Sequence, residues 1–200
     1  MLLFQEETTG NLLPYDGIAT YYPSVLTLAE ADNYFERFLT SIEWKNDEAV
    51  VMGRRIVTER KVAWYGDSNY SYTYSGTTKQ ALPWTAELLK LKQLAEEIVA
   101  AKFNSCLLNL YHGGNEGVGW HSDNEKSLVK NATIASYSLG AVRAFRFKHK
   151  KTKQNVEIML EIGSLLAMSG PTQSYWLHSL PKSAKVTEPR INLTFRLIVE

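Results

Sequence analysis

His121-Ser122-Asp123 places an imidazole and a carboxylate two residues apart. On a strand, that spacing puts both side chains on one face, where they can reach a single ion. The chain has four histidines, and the other three are His112, His149 and His178. His178 lies far downstream, in Trp176-Leu177-His178-Ser179-Leu180-Pro181. A second imidazole added to the pair would form a two-histidine, one-carboxylate set, which leaves positions on iron(II) open where a structural zinc site would use four protein ligands. His-x-Asp also occurs as an ordinary hydrogen-bonded surface pair, and spacing alone does not decide between the two.

A second chemical pattern closes the chain. In Arg190-Ile191-Asn192-Leu193-Thr194-Phe195-Arg196-Leu197 polar and apolar residues alternate with period two, as in a strand. Its polar face carries Arg190, Asn192, Thr194 and Arg196. Turned inward, two guanidiniums require anionic partners, and a dicarboxylate would supply them; turned outward, the row is a solvated face. Asn109 and Tyr111 likewise share one face of the run Leu107 to Tyr111.

The elements that must position these residues can be read from pattern. Thr27-Leu28-Ala29-Glu30 is a capping box that starts a helix, and Leu28, Ala31, Tyr34, Phe35, Phe38, Leu39 and Ile42 continue it as an apolar stripe. A second helix is predicted from about Trp84 to Lys102, with Pro83 suited to its first turn. Between them Val50 to Gly76 reads as hairpins, with Met52-Gly53 and Gly66-Asp67 as turns. From Phe103 onward short β-prone runs dominate. Two N-terminal helices backing a C-terminal sandwich or barrel match the double-stranded β-helix, or jelly roll, an α+β, mainly β architecture.

Composition narrows the setting. With 200 residues, 44% hydrophobic, the chain is long enough for one domain with a substantial core. Lys and Arg number 22 against 21 Asp and Glu, so any attraction to a polyanion is local. The densest basic run is 143 to 153, where alternation turns Arg146, Lys148 and Lys150 outward. The single cysteine, Cys106, fits a reducing compartment, and no run approaches membrane-spanning length. A cytoplasmic monomer without a membrane partner is the expectation.

Together, Asn109-Leu110-Tyr111, His121-Ser122-Asp123, His178 and the Arg-x-Asn-x-Thr-x-Arg strand at 190–196 resemble the AlkB family of iron(II)- and 2-oxoglutarate-dependent dioxygenases, in that family's order. Arg60 to Asp67 and Tyr72-Thr73-Tyr74-Ser75-Gly76 are similar to the nucleotide-recognition lid of its branch acting on double-stranded DNA. The resemblance implies one domain over 1–200: an N-terminal extension and helix at 1–45, a lid at 50–80 and a jelly-roll core at 103–200.

It implies further that His121, Asp123 and His178 bind Fe(II). Arg190 and Tyr111 would take the distal carboxylate of 2-oxoglutarate, with Asn109 and Asn192 helping to hold it. Arg196 would stand at the Asp123 side, and Thr194 would support the row. O2 is the second cosubstrate, and the implied reaction is oxidative dealkylation of N-alkylated bases such as 1-methyladenine and 3-methylcytosine in DNA. An RNA substrate and a nonenzymatic nucleic-acid-binding jelly roll are the alternatives. For substrate contacts the resemblance points to Tyr72 and Tyr74 bracketing a flipped base against the ring of His178. Ser75 and Arg60 would meet phosphate, Glu125 would accept from an exocyclic amine, and Met52 would act as a wedge.

Overall fold

The computed structural model describes residues 10–199 except 52–53 and 75–76; side chains of 49–51, 54–56, 71–74 and 77–79 also lie outside the description. Strand β1 (Ile18–Tyr22) precedes helix α1 (Leu28–Ser41), after which come β2 (Lys45–Val51), β3 (Arg54–Gly66), β4 (Ser71–Tyr74), β5 (Thr77–Gln80) and β6 (Leu82–Pro83). Helix α2 (Ala86–Val99) leads to β7 (Ser105–Tyr111), β8 (Val118–His121), β9 (Ile134–Gly140), β10 (Arg143–His149), β11 (Asn155–Leu160) and β12 (Leu165–Ser169). A short helix α3 (Thr172–Tyr175), β13 (Trp176–Leu180) and β14 (Arg190–Arg196) complete the chain.

The major sheet runs β1-β12-β9-β14-β7-β3-β2, with β6 beside β3, and the minor sheet runs β11-β10-β13-β8. Apart from the short parallel β3–β6 contact the pairings are antiparallel. This is the expected jelly roll with helices behind it.

Helix α1 begins where the capping box predicts: Thr27 accepts from the Glu30 amide and Glu30 Oε2 accepts from the Thr27 amide at 2.9 Å. Helix α2 is shorter than the pattern suggests. Thr85 caps it by accepting from the Leu88 amide, Ala100 ends it in the left-handed region, and Pro83 belongs to β6 beside Gly66 instead of the first turn. Phe38, Leu88, Leu91 and Ala95 from the helices pack with Cys106, Leu108, Tyr137, Leu139, Ile191, Leu193 and Phe195 from the major sheet. That apolar layer fixes one face of the sheet, so the alternate residues of the same strands must face the minor sheet.

Two elements differ from the sequence reading. Ile18 to Tyr22, assigned there to an extension, is an edge strand paired with β12. Within the segment 50–80, expected to form a lid, β3 is 13 residues long, and its second half, Lys61 to Gly66, pairs with Leu110 to Ser105 of β7. A strand rich in β-branched and aromatic residues sustains that length, so one strand serves both the β2–β3 hairpin and the major sheet.

Candidate metal centre

His121 ends β8, Asp123 lies two residues beyond it, and His178 stands directly opposite His121 on β13. Asp123 Oδ1 lies 3.7 Å from His121 Nε2 and 3.8 Å from His178 Nε2. The ligand atoms of all three lie within 4.8 Å of one another, the one such cluster among the described residues. The other histidines are engaged elsewhere: His112 Nδ1 is 2.9 Å from Glu116 Oε1, and buried His149 accepts at Nδ1 from the Thr152 amide at 3.1 Å.

Each ligand is oriented by a neighbour. His121 Nδ1 donates to the Gly119 carbonyl at 2.8 Å, which fixes the tautomer with Nε2 free to bind. Asp123 Oδ2 accepts from Arg196 Nη2 at 2.6 Å, leaving Oδ1 toward the imidazoles. Burial alone would raise the Asp123 pKa, but Arg196 and the two histidines outweigh it and hold the carboxyl below its ordinary value. Burial pushes His178 down to about 4 against the pull of Asp123, so its ring is neutral and able to ligate at neutral pH.

The polar row of β14 is buried. Arg190 is 2% exposed; its Nη2 donates to Ser138 Oγ at 2.9 Å, while its Nε has no acceptor. Burial pushes its pKa down to about 10, Tyr111 opposing and Arg143 adding to the fall. Among the described residues no carboxylate pairs with it. A buried, planar cation that lacks a carboxylate partner and lies beside a phenol is the chemical complement of a carboxylate, so these side chains suit one end of a dicarboxylate.

The Tyr111 ring has three guanidiniums around it, Arg190 at 5.6 Å, Arg143 at 5.9 Å and Arg60 at 6.0 Å. Asn192 stands opposite Asn109 in register. Its amide already donates to Ser136 Oγ at 2.7 Å and to the Tyr137 carbonyl at 2.9 Å, and its Oδ1 accepts from Thr194 at 3.0 Å. Asn192 therefore ties β14 to β9, and Thr194 fixes its amide.

On the substrate side, the ring of His178 cannot bracket a base. Its side chain is 6% exposed and stacked on Phe145 at 5.4 Å and 22°; the accessible imidazole is that of His121, 42% exposed. Arg60 is turned inward, paired with Asp47 and set against Tyr111, not offered to phosphate. Glu125 is exposed and interacts electrostatically with Arg196. Tyr72 and Tyr74 occupy alternate positions of β4, opposite Lys79 and Thr77, while Met52 and Ser75 lie outside the described residues.

In the basic run, Arg146 pairs with Glu157, Lys148 lies 4.1 Å from the Trp120 ring centroid, and Lys150 turns inward to Ser122 and Gln173. Arg143, at the head of that run, is buried, its guanidinium donating to the carbonyls of Gly113, Glu116 and Pro181.

Sequence alone misses a brace on the metal loop. Gln173, in α3, accepts the Asp123 amide at Oε1, 2.9 Å away. Lys150 Nζ donates to the Gln173 carbonyl at 2.8 Å and to Ser122 Oγ at 3.2 Å. No spacing signal joins residues 122, 150 and 173; the pairing of β13 with both β10 and β8 brings them together.

Residues 18–196 match the 2OG-Fe(II) oxygenase superfamily. The chain is 36% identical over 195 residues to the DNA oxidative demethylase ALKBH2 of Mus musculus, covering 92% of this chain and 82% of that protein. It is 40% identical over 186 residues to the alpha-ketoglutarate-dependent dioxygenase alkB homolog 3 of Bos taurus, covering 88% and 64%. The solved structure of OsALKBH1 superposes with a TM-score of 0.61 over 90% of this chain and 96% of that one, at 15% identity, a likeness of fold.

Proposed function

Because the chain belongs to the AlkB family within the 2OG-Fe(II) oxygenase superfamily, and is thereby an iron(II)- and 2-oxoglutarate-dependent dioxygenase, we propose that it removes alkyl groups oxidatively from N-alkylated bases in DNA. The bases that fit are those such as 1-methyladenine and 3-methylcytosine, and the products are the repaired base, an aldehyde, succinate and CO2. The observation that carries the reading is the His121–Asp123–His178 cluster together with the buried guanidinium of Arg190, which is bound by Ser138 but has no carboxylate partner among the described residues.

When bound, iron(II) with 2-oxoglutarate and O2 supplies the oxidising power that hydroxylates the alkyl carbon on a base nitrogen. The chain's own residues do the rest. His121 Nε2, His178 Nε2 and Asp123 Oδ1 would hold the iron, and Arg196 keeps the second Asp123 oxygen occupied. Arg190 and the Tyr111 hydroxyl receive the distal carboxylate, and Ser138 aligns the guanidinium that receives it. Burial of Asp123, His178 and Arg190 keeps bulk water from the reacting centre.

A base in a duplex must leave the stack to reach this centre. The exposed face of His121 offers it a surface to lie against, and Tyr72 and Tyr74 are the aromatic residues that would stack on its other side. Glu125, at the rim, accepts from an exocyclic amine, which favours adenine and cytosine over thymine and guanine's carbonyl edge.

The test is turnover of matched single-stranded, double-stranded and RNA oligonucleotides carrying 1-methyladenine or 3-methylcytosine, with Fe(II), 2-oxoglutarate and air. Formaldehyde and succinate are quantified alongside the mass of the oligonucleotide. Equimolar formaldehyde with loss of the methyl group from DNA is expected. Succinate formation with no demethylated DNA would contradict the substrate assignment, and demethylation of RNA alone would move it there.

A further inference from the structure

The β2–β3 hairpin is interrupted where it leaves the sheet. Asn46 faces Lys61, whereas Glu48 faces Val57, so Asp47 alone stands against residues 58 to 60. Pairing of β3 with β7 starts only at Lys61. Beyond the irregularity, Glu48 to Val51 and Arg54 to Val57 pair with each other. A bulge at such a place bends a strand and re-aims the residues beyond it. Thr58 Oγ1 lies 3.2 Å from the carbonyls of Asp47 and Arg60, and Asn46 Nδ2 donates to the Thr58 carbonyl at 3.2 Å, so the bend is knitted by side chains.

Arg60 sits inside that bend and faces two ways. Its guanidinium pairs with Asp47 of β2 and lies over the ring of Tyr111. Burial would lower its pKa, but Tyr111 and Asp47 outweigh this and raise it, so it is a fixed cation. The same ring touches Arg143, held by backbone carbonyls, and Arg190, held by Ser138. Three guanidiniums crowd one phenol, and of these only Arg60 forms an ion pair with a carboxylate among the described residues. A carboxylate arriving at Arg190 and the Tyr111 hydroxyl relieves the like-charge repulsion across the ring and favours Arg60 staying against it.

We propose that Arg60 is a positioning residue that couples the pose of the β2–β3 hairpin to occupancy of the Tyr111–Arg190 pocket by a dicarboxylate, so that cosubstrate and nucleic acid bind cooperatively. The proposal rests on the reading of that pocket as the 2-oxoglutarate site and of the hairpin as the nucleic-acid lid. Linkage makes the coupling reciprocal: closing of the hairpin on nucleic acid raises the dicarboxylate affinity by the factor that the dicarboxylate raises the nucleic-acid affinity.

The experiment is amide hydrogen exchange of the manganese(II)-loaded protein, which needs no turnover, with and without 2-oxoglutarate, for the wild type, Arg60→Met and Arg60→Lys. In the wild type 2-oxoglutarate slows exchange in β7 and β14 and also across 45–62, on the order of tenfold, within the usual span of coupling between linked sites. In Arg60→Met protection of β7 and β14 persists and that of the hairpin is lost. Arg60→Lys, which keeps the charge but not the planar fork, shows a reduced effect and serves if the Met variant does not fold. The affinity of the manganese(II)-loaded wild type for an unmodified oligonucleotide rises with 2-oxoglutarate, and that of Arg60→Met does not. Equal hairpin protection in wild type and Arg60→Met, or none in a wild type whose β7 and β14 are protected, overturns the coupling alone. Absence of protection in β7 and β14 overturns the cosubstrate site and the coupling together.

Discussion

Along β14, Ile191, Leu193 and Phe195 turn to the helices while Arg190, Asn192, Thr194 and Arg196 turn to the minor sheet, and nearly all of both rows is buried. The apolar row is stabilised by contact alone, and any well-packed set of similar volume would serve it. The polar row is costly to bury, and one of its members, Arg190, lacks a counterion among the described residues. A fold selected for stability alone would not retain that arrangement. One face of the sheet builds the protein and the other holds what the protein uses.

The sharpest way to separate the faces is to remove a ligand. Asp123→Ala is expected to abolish turnover, measured as formaldehyde release, while circular dichroism and melting temperature show a retained fold, because the helical face is untouched. On the opposite face, Phe195→Ala is expected to cost about 3–5 kcal/mol of stability in urea unfolding, the usual range for a buried aromatic. The apparent KM for 2-oxoglutarate of the protein that remains folded should not change. A shift in that KM would mean the faces are not independent.

Acid should also act on one face first. His178 titrates at about 4 when folded against 6.5 for a free imidazole. The unfolded chain therefore binds a proton that the folded chain refuses between those values. His178 thus makes the metal-free protein lose stability as pH falls from 6.5 toward 4, by up to about 3 kcal/mol, and has no effect above that window. His178→Gln is expected to flatten this part of the curve. A smaller effect belongs to the brace: Gln173→Ala should weaken manganese(II) binding by roughly tenfold, as loss of a group that orients a metal ligand does, with stability nearly unchanged.

Much of the polar face is legible in sequence, since period-two alternation in Arg190 to Arg196 states which residues share a side. Alternation does not say which side is buried. The capping box at Thr27 is legible because its bonds are local. The third ligand is not, because His112, His149 and His178 are equivalent until β13 pairs with β8; the family resemblance selects His178 where spacing cannot. Gln173 carries no pattern at all. Sequence assigns the exposed ring to the wrong histidine for the same reason: accessibility of His121 over His178 depends on Phe145 covering the latter, a contact between strands far apart in sequence.

The most direct test of the central claim, that the polar face is held ready for a metal and a dicarboxylate at a cost to the empty protein, is a thermal comparison of wild type and Arg190→Met. Each is melted without ligands and again with manganese(II) and 2-oxoglutarate. Without ligands the variant is expected to melt at or above the wild type, because an apolar side chain replaces a buried cation that lacks a counterion. With both ligands the order should reverse, since only the wild type gains from the dicarboxylate. A variant that melts below the wild type by the same margin in both conditions would show Arg190 to be a structural residue and would contradict the account.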